Sequence, residues 1–197
     1  HNAGDYASRF CVEYFTDKIK ESNHTSPISA IETALKETNE ALLRKAKEQV
    51  DFEGMGTTFV VATILDNRMY VANIGDSRLY VIGKEMKQIT EDHSLVEAMV
   101  KTGKLDRREA KQHPNKNIIT KALGADTDVE PDFFEVDLEE GDTVLMCSDG
   151  LTNMLDDEEI VDIIKAHEDL QAAADALVKT ANQNGGIDNI SIILIKI

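Results

Sequence analysis

Three apolar, β-prone runs in this chain each carry, at one end, an aspartate set in a glycine-containing turn. Val144 to Cys147 leads into Ser148-Asp149-Gly150, and the run beginning at Tyr70 leads into Ile74-Gly75-Asp76-Ser77-Arg78. The turn Gly185-Gly186-Ile187-Asp188-Asn189 opens onto the terminal run 190–197. A buried strand that ends this way delivers a carboxylate to the rim of a sheet. Gly150 is expected to let the backbone turn sharply behind Asp149. Any one such aspartate is most often a turn or cap residue. Three together raise a different reading, because carboxylates gathered from separate strands repel unless a cation or a proton lies between them. An all-oxygen donor set suits hard divalent ions, Mg²⁺ or Mn²⁺.

The remaining chain frames those turns. Ala7, Phe10, Cys11, Tyr14 and Phe15 fall at helical spacing and predict a helix ending near 18–20. Ser29, with Glu32 three residues on, reads as a capping box opening a second helix over 30–50. Strands are expected over 59–65, 68–74, 78–82 and 87–90 as an antiparallel meander, with Asp66-Asn67 as a hairpin turn. From Asp92 the pattern becomes short interrupted helices, stopped by Gly103 and by Pro114 and reopened by Asp106. Strands over 132–136 and 144–147, helices over 157–166 and 170–182, and the last strand complete the chain. The segment 118–123 continues the insertion before Gly124.

At 197 residues, one domain spanning 1–197 is expected. The net charge of −16 argues against nucleic acid as a partner, since no basic face stands ready to replace phosphate counterions. An anionic substrate must therefore be drawn in locally, by metal ions or an arginine. Cys11 and Cys147 sit far apart in apolar settings and read as reduced core thiols. With no membrane-length apolar run and no signal peptide, the expected location is the cytoplasm.

Five motifs occur in order along the chain: Gly54-Met55-Gly56-Thr57-Thr58, Ile74-Gly75-Asp76-Ser77-Arg78, Glu91-Asp92-His93-Ser94, Ser148-Asp149-Gly150 and Gly186-Ile187-Asp188-Asn189. Together they resemble the metal-dependent Ser/Thr protein phosphatases of the protein phosphatase 2C type, bacterial branch, over essentially the whole chain. The resemblance implies an α+β fold, an αββα sandwich of two antiparallel sheets flanked by helix pairs. It also implies a mobile flap over the active site, which falls on 92–124. Asp149 and Asp188 match the family's metal-ligating aspartates, and Asp76 matches the position that helps hold a third, weaker ion beside two Mn²⁺ or Mg²⁺. His1 matches the histidine ending the family's Asp-Gly-Met-Gly-Gly-His motif, where it could protonate the leaving group. The bridging Asp of that motif, a phosphate-binding Arg and the N-terminal strands that carry them are expected to be absent from this chain. Unpaired sheet edges would follow from that absence.

The implied chemistry is hydrolysis of phosphoserine or phosphothreonine by a metal-activated water, on phosphorylated protein substrates and in opposition to a bacterial Ser/Thr kinase. Cys147 is not read as a nucleophile, because no Arg follows it in a phosphate-cradling loop. His93 and His113 read as structural, and Asn189 as shaping the Asp188 turn. Two alternatives stand beside the leading one: a regulatory phosphatase acting on an anti-sigma-factor antagonist, and a non-catalytic remnant that binds partners.

Overall fold

Burial at every third or fourth position decides the first layer. The computed structural model describes residues 3–48 and 50–197. The chain folds as two compact units, the first formed by residues 1–63, 70–76 and 92–133, the second by 64–69, 77–91 and 134–197.

In the first unit, α1 (Gly4–Glu21) buries Ala7, Cys11 and Phe15, one residue per turn. α2 (Pro27–Ala46) buries Ile31, Ala34, Leu35, Thr38, Ala41 and Leu42. α2 starts earlier than the Ser29 capping box suggests: Ser26 is the cap, its hydroxyl accepting from the Ser29 N–H, and Pro27 occupies the first turn. Proline there loses no helical hydrogen bond and arrives with helical φ. The helix also stops sooner than expected, and Val50–Phe52 forms a separate 3-10 turn. Strands β1 (Phe59–Leu65), β2 (Arg68–Ile74) and β5 (Asp132–Asp137) form a three-stranded sheet in the order β1-β2-β5. The core of this unit joins Cys11, Phe15, Leu35 and Leu42 to Met55, Ala72 and Ile74. Phe15 and Phe59 meet at a ring separation of 5.1 Å. Asn39 on α2 is 3 % exposed, and its amide secures the loop after Leu123. It accepts from Gly124 N–H and donates to the Asp126 carbonyl, both at 2.8 Å.

The helical insertion belongs to the same unit. α3 (Leu95–Lys101) is capped by Ser94, whose hydroxyl accepts from Glu97 N–H at 3.2 Å. α4 (Arg107–Ala110) opens on a reciprocal capping box between Asp106 and Glu109. The expected continuation at 118–123 forms only two isolated bridges, Ser94 with Ile119 and Thr57 with Leu123.

The second unit holds β3 (Arg78–Ile82), β4 (Met86–Gln88), β6 (Thr143–Cys147) and β7 (Ile192–Lys196), ordered β4-β3-β6-β7 with every neighbour antiparallel. β6 is central and almost wholly buried. α6 (Asp157–Lys165), capped by the Asp156–Glu159 box, and α7 (Leu170–Gln183) pack Ile160, Ile164, Leu177 and Ala181 with Tyr80, Leu145 and Cys147. Both cysteines are buried, and neither is in a disulfide.

The expected meander is not continuous. β2 pairs in one sheet and β3 in the other, so the chain changes sheets at Gly75-Asp76-Ser77. The apolar alternation of β2 and β3 is the same in either topology, which is why local pattern cannot distinguish them. The α+β class with two antiparallel sheets and helix pairs is as expected.

Replacing Asn39 by Ala leaves the Gly124 N–H and the Asp126 carbonyl without their partner. The expected cost is about 1–3 kcal/mol in urea unfolding, with no change in the slope. A loss below about 0.5 kcal/mol would show that water replaces the amide.

Candidate metal centre

The end of β6 is stitched to the turn that precedes β7. Ser148 N–H donates to the Ser191 carbonyl at 3.1 Å. The Ser148 hydroxyl donates to the Asn189 carbonyl and accepts from Ser191 N–H, both at 3.0 Å. The next residues form a single helical turn, α5 (Asp149–Thr152), rather than the sharp bend expected of Asp-Gly. Gly150 has another reason to be glycine. A Cβ there would lie 2.2 Å from the Asn189 carbonyl oxygen and 2.9 Å from its carbon. The missing side chain lets the 188–191 backbone pass against α5, and that contact brings Asp188 to Asp149.

The charges respond to this approach. Burial pushes the Asp149 carboxyl above its usual range, and the neighbouring Asp188 carboxylate pushes it further. The Gly150 N–H, the Asn153 amide and the Arg78 guanidinium oppose the shift without cancelling it. Asn153 Nδ2 donates to Asp149 Oδ2 at 3.0 Å and fixes the carboxylate's orientation from one turn along. Asp188 is exposed, and its Oδ1 accepts from Asn189 N–H at 2.7 Å. Asn189 thus shapes the Asp188 turn, with its own carbonyl held by Ser148.

Two carboxylates held against mutual repulsion, one of them half-buried, form a donor set that a divalent cation would relax. The two aspartates therefore fit the metal that the sequence implies. Among the described residues no group of three His, Cys, Asp or Glu side chains encloses a metal site on its own. A hard cation on this pair would complete its shell with water or substrate oxygens.

Asp76 belongs to the first unit, half-buried in the turn after β2. Gly75 has φ +110°, and a Cβ there would lie 2.3 Å from Thr58 Cγ2, so both conformation and space require glycine. His93 holds this turn from two sides. Its N–H donates to the Gly75 carbonyl at 2.9 Å, while its ring Nδ1 accepts from the Gly75 N–H at 2.9 Å. An accepting Nδ1 leaves the proton on Nε2, which lies 3.0 Å from Asp132 Oδ2. Lys121 Nζ reaches the other carboxylate oxygen at 3.0 Å. Burial pushes the Asp132 carboxyl up, but the hydrogen bonds from His93 and Lys121 outweigh it and hold the group below its usual range. His93 is structural, as expected, and the His113 ring Nδ1 accepts from Asn115 N–H at 3.1 Å. His1 lies outside the described residues.

Sequence reasoning missed Ser148, Asn153 and Arg78 as supporting groups. Asn153 stands four residues after Asp149, a helical separation that would have been readable had the Asp-Gly turn been read as a helix start. Arg78 pairs with Cys147 in the β3–β6 register, one strand over from the Asp149 turn, and Nη1 donates to the Tyr80 hydroxyl at 3.1 Å.

With this geometry in place, comparison with known proteins gives a consistent result. Residues 1–189 match the family described as Protein phosphatase 2C. The chain belongs to the protein phosphatase 2C family, whose members are metal-dependent protein phosphatases. A serine/threonine phosphatase stp of Listeria innocua is 41 % identical over 201 residues, covering 100 % of this chain and 80 % of that protein. The serine/threonine phosphatase Stp1 of Staphylococcus aureus superposes with a TM-score of 0.94 at 37 % identity, covering 100 % of this chain and 79 % of its own. The catalytic domain of the phosphatase PstP, solved with two manganese ions, gives a TM-score of 0.87 at 29 % identity over 98 % of this chain and 81 % of that one.

Asn153→Ala removes the bond that orients Asp149 while leaving both carboxylates. Metal-dependent turnover is expected to fall about 10–100-fold, and unchanged turnover would show that Asp149 is oriented by the backbone alone. Gly150→Ala forces the 188–191 turn away from α5, with an expected stability loss of about 1–3 kcal/mol. Wild-type thermal unfolding in this variant would contradict the close-approach account.

Proposed function

We propose that this chain is a protein serine/threonine phosphatase whose catalytic domain spans 1–197, with the insertion at 92–124 acting as a flap over the active site. The observation that carries the proposal is the Asp149–Asp188 pair, two like charges that the fold brings together so that Asp188 disfavours the ionisation of Asp149. Divalent ions held there, two Mn²⁺ or Mg²⁺, would supply an activated water and offset the charge of the phosphoryl group. Asp149 and Asp188 are the ligands, and Asp76 helps hold a third, weaker ion. Ser148 and Asn153 keep the two aspartates in register, and Arg78 adds positive charge on the Asp149 side.

In the reaction a water oxygen bonds to phosphorus as the bond to the serine or threonine oxygen breaks. The leaving alcohol gains a proton, and His1 is the group that would give it. Phosphorylated proteins are the substrate class, and a Ser/Thr kinase acting on the same proteins is the pathway partner. The cytoplasm is the proposed location. Among the described residues no helix is long and apolar enough to cross a membrane.

The test is phosphate release from a phosphothreonine peptide as Mn²⁺ is titrated in, with EDTA as control. Saturable Mn²⁺-dependent release is expected from the wild-type protein, and none from a folded Asp149→Ala variant. Persistent metal-dependent turnover in Asp149→Ala would overturn the ligand assignment. Asp76→Ala is expected to slow turnover while leaving the tightest Mn²⁺ binding nearly unchanged; a wild-type rate would return Asp76 to a simple turn role.

A further inference from the structure

The charge on this chain is segregated. Residues 101–121 hold seven of its 21 Lys and Arg residues and only two acids, Asp106 and Glu109. That surplus of five positive charges, in a chain of net −16, leaves −21 on the rest. Both acids are already engaged. Asp106 Oδ1 accepts from Arg108 N–H at 2.8 Å, and Glu109 Oε2 accepts from Asp106 N–H at 3.3 Å, closing the cap of α4. Arg107 is taken up by Glu97 in a bidentate pair, Nη1 and Nη2 each at 2.8 Å, which ties α4 to α3. Lys121 is taken up by Asp132.

Lys101 also has a partner within the chain, which leaves Lys104, Arg108, Lys111 and Lys116. The first three are exposed and Lys116 is half-buried. Among the described residues, none of the four forms an ion pair with an acid. The segment that carries them is fixed at its root. Leu95 N–H donates to the Ile118 carbonyl at 2.9 Å, and Thr120 N–H to the His93 carbonyl at 2.8 Å. His93 in turn grips Gly75, the residue before Asp76. The cations therefore stand on a loop whose base is fastened to one of the aspartate turns within the same unit.

We propose that Lys104, Arg108, Lys111 and Lys116 form a docking surface for acidic residues flanking the phosphorylated side chain of a protein substrate. The proposal rests on the phosphatase reading above and adds a sequence preference to it. A short acidic stretch is the occupant that the charge distribution favours. Screening limits each charge's reach to about 8 Å at physiological salt, so a few acidic residues can feel the patch without the acidic remainder. A nucleic acid or an anionic membrane extends much further and would meet a surface that repels it.

The experiment compares kcat/KM on two phosphothreonine peptides, identical except that Asp and Glu flanks in one are Asn and Gln in the other. Exposed ion pairs are individually weak, so four together predict about a 10-fold preference for the acidic peptide. The preference should shrink towards unity at high salt and in the Lys104→Gln/Arg108→Gln/Lys111→Gln/Lys116→Gln variant. The Lys104→Gln/Lys111→Gln pair, outside the Asp106–Glu109 capping box, repeats the test if the fourfold variant fails to fold. Equal kcat/KM on both peptides, with Mn²⁺-dependent turnover intact, would overturn the docking surface and leave the phosphatase reading standing. Turnover of neither peptide would count against the phosphatase reading. Fluorescence anisotropy of the labelled acidic peptide then decides the docking surface, with variant-sensitive binding supporting it and no binding overturning it. Tighter binding of a single-stranded oligonucleotide or of phosphatidylglycerol vesicles than of the acidic peptide would also overturn it.

Discussion

The structure around the candidate centre depends on one place where a side chain could not fit. Asn189 presses its carbonyl to within 2.2 Å of where a Gly150 Cβ would stand, so α5 and the Asp188 turn can share a boundary. Everything chemical in the second unit follows from that approach. Asp149 enters a half-buried position beside a second carboxylate, and its own carboxyl is pushed up as a result. The fold tolerates the repulsion because Ser148, Asn153 and the Gly150 N–H hold the backbone and one carboxylate oxygen in place. A site of this kind is less stable alone than with a cation, which is what a metal-binding pair requires.

The first unit repeats the device with different parts. Gly75 is forced by Thr58 and by its positive φ, and the turn carrying Asp76 is held by His93 at both backbone groups of one glycine. His93 can do this because Asp132, itself held by Lys121, lies against its far nitrogen. The same histidine also accepts a strand-like hydrogen bond from Thr120, so the aspartate turn and the root of the helical insertion share one residue. A change at His93 would therefore reach both.

Local pattern was enough for much of the fold. β1, β2 and β3 begin and end where alternating apolar residues between turn formers place them, and Asp156, Asp106 and Gly103 punctuate helices as their chemistry predicts. That Asp149 and Asp188 would approach each other was suggested by the repeated aspartate at strand ends, and the charge of Asp188 does act on Asp149. What stayed hidden is tertiary. Which sheet β3 joins depends on pairing with β6, sixty-odd residues away, and no local periodicity encodes it. The need for Gly150 arises from Asn189, not from its own φ, so it reads as a turn glycine until the two loops are seen together. Ser148 and Asn153 look like ordinary polar residues, and only their partners give them a role. Pro27 could have corrected the start of α2, since a proline in the first turn competes with a capping box placed after it.

The central claim is that Asp149 and Asp188 act as one cation-binding pair. The most direct measurement is Mn²⁺ titration followed by electron paramagnetic resonance, in which protein-bound ion disappears from the free hexaaquo signal without any need for turnover. The account predicts tight binding by the wild-type protein and loss of that class of site in both Asp149→Asn and Asp188→Asn, each by a similar factor. Tight Mn²⁺ binding unchanged in either variant would contradict it, because a pair that acts together cannot lose a member and keep the site.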